Sequence, residues 1–386
     1  MEKTFSDTSE SAGIYVHVPF CRRKCPYCDF YSITATDWIG AWLTALLGEI
    51  GMVREFSHPV DTVYIGGGTP SLLDGSQVRM LLDAIFGRFS VCRAPEITLE
   101  VNPGTVEKET LKRYRDSGVN RLNIGVQSFR DKALGFLGRI HTGRQAAKAI
   151  EDAQEAGFDN IGLDLIYALP GQSLSQWQKD LRQALAFSPA HLSCYLLTYA
   201  AGTEMAEKRS RGEVTPLSES ACSELFLYTH DFLFSRGWRH YEIANFASRE
   251  DLLSRHNSKY WRHAPYIGLG PAAHSYERGR RWWNPSSVAR YVERVSAGRP
   301  PMEEEEALSR EQEMIEAVYL GLRRDAGICI PSFDARFQSD FSALFKQVLP
   351  GLQSSGYLCF RDGRCALTRE GMVYADGIAR TLAEQI

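Results

Sequence analysis

No apolar run in this 386-residue chain approaches the roughly 20 consecutive residues that a membrane-spanning helix needs. Neither charge sign dominates. The 44 basic and 47 acidic residues give a net charge of −3, which argues against bulk nucleic-acid binding. The N-terminus has no apolar signal segment, and nine cysteines, an odd number, do not suggest a disulfide framework. The sequence therefore predicts a cytoplasmic protein with reduced thiols, and peripheral membrane contact stays open.

Three of the nine cysteines are concentrated in one short segment. Cys21, Cys25 and Cys28 form a CxxxCxxC run directly after the apolar residues 14–18. Three thiolates on one loop can bind three irons of a cubane cluster and leave the fourth iron open to an exchangeable ligand. A structural zinc site needs four ligands, and the remaining cysteines form no second CxxC pair. The run thus favours an iron–sulfur cluster over structural zinc or inert thiols.

Short β-branched or aromatic runs alternate with helical patterns in the first half of the chain. The predicted strands are 14–18, 62–65, 96–101, 121–126, 161–167 and 192–198. Repeated strand–helix units indicate parallel strands with helices outside. Six units fall short of a complete eight-unit barrel. We therefore predict an α/β fold with a partial (β/α)6 TIM-like barrel, whose functional residues lie at the C-terminal ends of the strands.

The length of the chain suggests more than one domain. We expect a loose segment over 1–13, the partial barrel over 14–250, a histidine-containing motif and linker over 251–306, and a C-terminal domain over 307–386. The linker includes the acidic run 303–306. Residues 357–367 are typical of a hairpin with an Asp-Gly turn, and 368–383 of a closing helix. Helices plus a hairpin predict an α+β winged-helix-like domain. Its scattered basic residues do not indicate DNA binding.

The cysteine spacing resembles the signature of the radical S-adenosylmethionine (SAM) superfamily. There, the amino and carboxylate groups of SAM chelate the open iron of a [4Fe-4S] cluster. Candidate SAM contacts follow the predicted strands. The glycines of the GGGTPS segment would let the backbone approach SAM closely. Tyr27, inside the cysteine loop, would lie against the adenine, and Glu100 would hold the ribose or the cationic part.

A more specific resemblance rests on several motifs together. These are YVHVPFC at 15–21, GGGTPS at 66–71, EVNP at 100–103, GVQSF at 125–129, GRIH at 138–141 and DLIYALPG at 164–171. They resemble the oxygen-independent coproporphyrinogen III oxidase-like family of radical SAM proteins, from about residue 14 to 200 and into the C-terminal domain. The resemblance implies a SAM site made of Tyr15, Gly67, Gly68, Thr69, Glu100, Gln127, Arg139 and Asp164.

Two features separate this chain from the oxidases of that family. The oxidases carry a further cysteine two residues after the third, where this chain has Phe30. The HNxxYW run that begins at His256 resembles the haem-binding signature of the family's haem chaperones. This second resemblance implies haem as a ligand and His256 as its axial ligand, because a neutral imidazole binds haem iron well. His263 and His274 stay as alternative ligands.

The sequence thus predicts a haem chaperone with a SAM-liganded [4Fe-4S] cluster, which passes haem to an acceptor protein such as a respiratory haem protein. An electron donor would be a further partner, and a homodimer stays open. One alternative is a radical SAM enzyme that oxidatively decarboxylates coproporphyrinogen III. Phe30 and the HNxxYW run argue against that activity. A radical SAM enzyme with another substrate is a third interpretation.

Overall fold

The computed structural model describes residues 11–53 and 56–386. Six parallel strands lie side by side in chain order at the centre of a large sheet, which confirms the predicted α/β partial barrel. Each starts within five residues of its predicted position. The first begins at Ala12, two residues before the expected start of the barrel, while residues 1–10 of the predicted loose segment lie outside the described residues. The strands are β1 Ala12–Val18, β2 Val60–Gly67, β3 Val91–Val101, β4 Arg121–Gln127, β5 Ile161–Tyr167 and β6 His191–Leu196.

Helices connect these strands and cover the outside of the sheet. Several begin at a polar residue whose side chain accepts from the backbone N–H three residues on. In three of them the residue three positions on is a glutamine, whose side chain accepts from the backbone N–H of the first residue. This reciprocal capping box fixes the start of the helices that follow Asp74, Thr142 and Ser173. The apolar helix faces pack on the sheet as one continuous core. The helices are α1 Ile39–Met52, α2 Gly75–Arg88, α3 Lys108–Asp116, α4 Asp131–Phe136, α5 Gly143–Glu155 and α6 Leu174–Ala186.

The region after β6 extends the sheet on both sides. Two short strands continue it beyond β6, and four continue it beyond β1. The strands are β7 Arg239–Glu242, β8 Asn245–Ala247, β9 Tyr266–Leu269, β10 His274–Glu277, β11 Arg280–Trp283 and β12 Glu304–Ala307. The accompanying helices are α7 Glu204–Ser210, α8 Glu219–Phe234, α9 Arg255–Tyr260 and α10 Val288–Ser296.

The acidic run that we expected in a linker is instead the edge strand β12. It pairs antiparallel with β11, and the charges of the two strands are complementary. Arg280 Nε donates to Glu305 Oε2 across 2.8 Å, and Arg281 Nε donates to Glu306 Oε1 across 2.9 Å. These cross-strand pairs allow like charges to line one edge strand, because Glu305 and Glu306 each lie near an arginine.

The C-terminal domain has its own apolar core, which includes Phe333, Phe341 and Leu382. The predicted hairpin is present, with positive φ at Asp362 and Gly363 in its turn. The predicted closing helix is two helices that break near Tyr374. No helix in residues 11–53 and 56–386 has both the length and the apolarity to cross a bilayer. The elements are α11 Arg310–Leu322, β13 Ile328–Cys329, α12 Ile330–Phe337, α13 Phe341–Leu344, α14 Leu349–Ser354, β14 Leu358–Arg361, β15 Arg364–Leu367, α15 Arg369–Met372 and α16 Ala375–Ala383.

Candidate functional site

The loop after β1 carries the three cysteines to the edge where the parallel strands end. Cys21 is buried, and Cys25 and Cys28 are half-buried. Two side chains from outside the cysteine loop donate to these sulfurs. Thr69 Oγ1 donates to Cys21 Sγ across 3.4 Å, and Arg139 Nη1 donates to Cys25 Sγ across 3.6 Å. Donors aimed at sulfur stabilise thiolates, which are the form that binds iron.

The cysteine set fits a cluster better than a single ion. Among the described residues, no group of three His, Cys, Asp or Glu side chains is placed to hold one metal ion. A cubane cluster does not need such convergence, because each cysteine binds a different iron. Burial, and then the neighbouring sulfurs of Cys25 and Cys21, raise the pKa of Cys28 to about 11. A cationic iron core would supply the counter-charge that these thiolates need.

Two glycines at the C-terminal end of β2 allow the chain to pass close to the cysteine loop. A Cβ on Gly68 would lie 2.7 Å from the carbonyl oxygen of Phe20 and 3.0 Å from Cys21 Sγ. Gly67 has a φ of +112°, which side-chain-bearing residues rarely adopt. The Gly68 N–H donates to the Val18 carbonyl across 2.8 Å. The GGG segment therefore reflects close packing against the cysteine loop.

A cavity of about 400 Å³ opens beside the cysteines, at the C-terminal ends of the strands. Its polar lining is contributed by several different strands, as expected for a barrel site. Eight of the predicted cofactor residues line it: Tyr27, Gly67, Gly68, Thr69, Glu100, Gln127, Arg139 and Asp164. Tyr15 is not among the lining residues, and its hydroxyl group lies 3.0 Å from His17 Nδ1.

Glu100 is held by two donors at the wall of this cavity. Tyr64 Oη donates to its Oε1 across 2.8 Å, and the Gly67 N–H donates to its Oε2 across 3.1 Å. Burial raises the pKa of Glu100 to about 7, the Tyr64 hydrogen bond opposes this shift, and the nearby Asp164 carboxylate adds to it. A cationic ligand would relieve both the burial penalty and the repulsion between the two carboxylates.

Polar atoms elsewhere in the lining are left without protein partners. Gln127 Oε1 and Arg139 Nε are buried and have no hydrogen-bond partner in the part of the chain that the structure describes. Gln127 also has a φ of +65° at a register shift between β4 and β5, a conformation that bulky residues seldom adopt without a local reason. Asp164 Oδ2 accepts from Asn123 Nδ2 across 2.7 Å. Unpartnered buried groups call for a polar ligand, and SAM offers complementary donors and acceptors.

Several lining residues were missed from the sequence. Tyr64 lies two residues before the glycine run, and its position in the middle of an apolar strand favours a core role. Tyr195 and Leu196 end β6, where the rule that sites form at strand ends could have identified them. Asn257 comes from α9, far away in sequence. The residues concerned are Tyr64, Asn102, Asn123, His191, Ser193, Tyr195, Leu196 and Asn257.

His256 packs against the N-terminal parts of β1 and β2, where a Cβ on Gly13 would lie 3.0 Å from its ring, whereas the cysteine loop follows the C-terminal end of β1. His256 is 1% exposed, and both ring nitrogens have partners: Nδ1 lies 2.9 Å from Thr62 Oγ1, and Nε2 lies 2.9 Å from Tyr260 Oη. Burial, and then the Lys259 ammonium, lower its pKa to about 3. The carboxylate of Glu96 accepts from the His256 N–H and fixes the start of α9. In this conformation the imidazole offers no free nitrogen to haem iron, so ligation by His256 stays a prediction that requires α9 to open.

The other two histidine candidates differ in access. His263 Nε2 is buried without a partner among the described residues, and its Nδ1 lies 3.4 Å from Tyr276 Oη. His274 is exposed and stacks on Trp283, with ring centroids 5.5 Å apart. Trp261, the last residue of the HNxxYW run, packs under the Arg323 guanidinium at 4.7 Å. None of these three residues lines the cavity beside the cysteines.

Comparisons with known proteins agree with this geometry. Residues 15–184 match the model of the Radical SAM superfamily, and residues 308–374 match the HemN C-terminal domain. The chain is 34% identical over 366 residues to the heme chaperone HemW of Lactococcus lactis, covering 94% of this chain and 95% of the relative. It is 40% identical over 268 residues to the heme chaperone HemW of Escherichia coli, covering 68% of this chain and 69% of the relative.

A solved structure shares nearly the whole fold. Coproporphyrinogen III oxidase (HemN) of Escherichia coli superposes with a TM-score of 0.84 at 21% identity, over 98% of this chain and 91% of that one. At this level of identity the likeness concerns the fold. The shared fold therefore includes both the barrel and the C-terminal domain.

Proposed function

The chain belongs to the HemW family of radical SAM proteins, and from that premise we propose that it binds haem and passes it to an acceptor protein. Relatives with 32% to 40% identity carry the name heme chaperone, and several of them align over more than nine-tenths of this chain. This likeness is the observation that carries the proposal. Such a protein must hold haem firmly enough to protect it and loosely enough to give it up.

The radical SAM family implies a [4Fe-4S] cluster and SAM, and the residues of this chain suit both. Cys21, Cys25 and Cys28 would bind three irons, leaving the fourth for the amino and carboxylate groups of SAM. When bound, a cluster of this kind supplies the electron that cleaves the SAM sulfonium. Tyr64 and the Gly67 N–H hold the Glu100 carboxylate in place for the cationic part of SAM.

The other SAM contacts follow from atoms that the protein leaves free. Gln127 Oε1 would accept from the ligand, and Arg139 Nε would donate to it, since both are buried beside the cavity without another partner in the described residues. Tyr27 lines the cavity from within the cysteine loop, where its ring would pack on the adenine. These assignments rest on position and hydrogen-bonding capacity.

The alternative is oxidative decarboxylation of coproporphyrinogen III. HemN, the oxidase with the same fold, is only 21% identical to this chain, whereas the HemW relatives reach 40%. Phe30 also stands where the oxidases have a further cysteine. We therefore do not expect the chain to form protoporphyrinogen. Its acceptor would be a haem protein, and cluster reduction would need an electron donor.

One experiment separates carrier from oxidase. The full-length protein, with its cluster reconstituted anaerobically, is titrated with haemin and followed at the Soret band. The same preparation is incubated with coproporphyrinogen III, SAM and a reductant. A carrier gives a saturable Soret shift, forms no protoporphyrinogen, and loses its haem spectrum when mixed with an excess of an apo-haem protein. Protoporphyrinogen formation would overturn the carrier assignment.

A further inference from the structure

The inner face of the barrel is polar, whereas barrels of this type usually fill their interior with branched apolar side chains. Glu100, Asn123 and Asp164 line the cavity beside the cysteines, so their side chains point inward. Successive side chains of a strand point to opposite faces, so residues two apart share a face. Thr98, two residues before Glu100, and Arg121, two residues before Asn123, therefore lie on the inner face as well. This face thus carries a cation together with two carboxylates.

Arg121 is buried without a direct partner. It is 1% exposed, and its Nε and Nη1 have no hydrogen-bond partner in the part of the chain that the structure describes. An arginine side chain keeps its charge when it is buried, and a buried charge without compensation is costly. The Arg121 charge therefore calls for groups of opposite charge that lie near it without bonding to it.

The strand register brings Arg121 close to the carboxylates of the cavity wall. Glu100 on β3 is paired in register with Asn123, two residues after Arg121 on β4. A Cβ on Gly162 would lie 2.5 Å from Asn123 Oδ1 and 3.4 Å from Arg121 Nη2, so both side chains reach the same point beside β5. The amide nitrogen of Asn123 donates to Asp164 Oδ2 across 2.7 Å. Asn123 thus connects the surroundings of Arg121 with the Asp164 carboxylate.

The charge of Arg121 acts on both carboxyls. Burial raises the pKa of Glu100 to about 7 and Asp164 raises it further, whereas two hydrogen bonds and Arg121 lower it. Burial also raises the pKa of Asp164, whereas two hydrogen bonds and the cations of Arg121 and Arg139 lower it. Arg121 therefore opposes the protonation that burial and mutual repulsion impose on the two groups.

The other titratable groups around Arg121 and the two carboxyls are neutral. Burial raises the pKa of five tyrosines and one thiol there and lowers the pKa of two histidines, so none of them is charged near neutral pH. Without Arg121, the balance would thus favour a proton on at least one carboxyl. The neutral groups are Tyr15, Tyr64, His191, Cys194, Tyr195, Tyr241, His256 and Tyr260.

We propose that Arg121 is a positioning residue for SAM, whose buried charge favours the ionised forms of Glu100 and Asp164 without touching the ligand. The inference rests on the proposed SAM site and adds a residue to it, since Arg121 does not line the cavity. The cationic part of SAM then meets two anions whose counter-charge lies behind them in the barrel. Binding has to displace fewer protons than it would without Arg121.

The test is the pH dependence of SAM affinity in the reconstituted full-length protein, measured by calorimetric titration. Affinity in the wild type should rise with pH as the two carboxyls lose their protons. In Arg121→Gln this rise should move by about one pH unit or more towards alkaline pH, so that affinity near pH 7 falls by about fivefold or more and recovers at higher pH. Because SAM is the same in every titration, a difference between variants reports on the protein.

Two further variants serve as controls. Arg121→Lys keeps the charge and should retain the wild-type pH profile. Arg130→Gln removes an arginine that donates to Asp180 across 3.1 Å and does not line the cavity, and it should also keep the wild-type midpoint. Cluster absorption is recorded with each titration as a sign of an intact barrel.

Equal midpoints in the wild type and Arg121→Gln, or a shift of the same size in either control, would overturn the role of Arg121 and leave the SAM site standing. A wild-type protein that binds no SAM at any pH would overturn the site itself, and this inference with it. If Arg121→Gln does not fold, the addition of Asp164→Asn should restore folding, because it removes an unbalanced charge. A double variant that stays unfolded would contradict the counter-charge role.

Discussion

The hydroxyl group of Tyr64 donates to the Glu100 carboxylate across 2.8 Å at the wall of the cavity beside the cysteines. Tyr64 comes from β2 and Glu100 from β3, so the bond joins neighbouring strands at the edge where they end. On its other side the Tyr64 ring contacts His256, with centroids 5.1 Å apart. Tyr64 therefore connects the Glu100 carboxylate with α9, the helix that carries His256 and that contributes Asn257 to the cavity lining.

Removal of this hydroxyl group should weaken SAM binding. In Tyr64→Phe the ring remains, but Glu100 loses a donor and its ionised form is less well held. A hydrogen bond to a charged group is worth roughly 1.5–3 kcal/mol, so we expect SAM affinity to fall by about tenfold or more. Calorimetric titration of the reconstituted protein measures it. Tyr228→Phe, on α8 and outside the cavity lining, is the control. Equal affinity in the wild type and Tyr64→Phe would show that Glu100 does not contact SAM.

Cluster assembly should depend on three cysteines alone. After anaerobic reconstitution, Cys21→Ala, Cys25→Ala and Cys28→Ala should each lose the [4Fe-4S] absorption and nearly all bound iron. Cys194 and Cys222 lie elsewhere in the barrel, and replacing either with alanine should leave both intact. Iron analysis together with the visible spectrum gives the answer. A variant of the first group that retains its full cluster would remove that cysteine from the ligand set.

The stability of the protein without cluster and SAM should decrease as pH rises, partly because of Glu100. Burial raises the folded-state pKa of this carboxyl to about 7, above its ordinary value of 4.5. A raised pKa means that the folded state holds the proton more tightly. The stabilisation is complete below about pH 4.5 and is lost as pH rises through 7.

A pair of thermal unfolding series measures this effect. Between pH 5 and pH 8, the free energy of unfolding of the wild type should fall by roughly 2 kcal/mol more than that of Glu100→Gln, since the amide cannot ionise. Glu49, whose pKa burial raises to about 6, is present in both proteins and cancels in the comparison. Parallel pH profiles for the two proteins would show that Glu100 ionises without cost.

The sequence predicted the parts of this protein that depend on local patterns. Strand β5 lies at its predicted bounds, because an apolar run between polar turns leaves little choice of register. The strand-end rule predicted that Glu100 and Gln127 lie at one edge of the sheet, and both line the same cavity. The edge strand β12 was not predicted, because a run of glutamates is typical of a solvated linker. Only the pairing with β11, which carries two arginines, explains why this run forms a strand.

The surroundings of His256 could not be predicted from the motif, because they depend on residues far away in sequence. The imidazole is hydrogen-bonded to Thr62, which is 194 residues away in sequence. The HNxxYW run alone does not indicate such a contact. The motif shows which residue types are present. Whether the histidine points outward to a ligand or inward to a hydroxyl group depends on how α9 packs on β1 and β2. Here the packing turns it inward.

Replacement of His256 distinguishes a packing role from an axial ligand. His256→Ala leaves a cavity and deprives Thr62 and Tyr260 of their partner, so we expect a loss of roughly 2–4 kcal/mol in the free energy of unfolding. If α9 keeps the packing seen here, the haem spectrum and affinity should match those of the wild type. His263→Ala and His274→Ala serve as comparisons. A His256→Ala protein that loses the wild-type Soret band and regains it with imidazole would show that α9 opens and that His256 binds the iron. The same rescue in either comparison variant would assign the ligand to that residue instead.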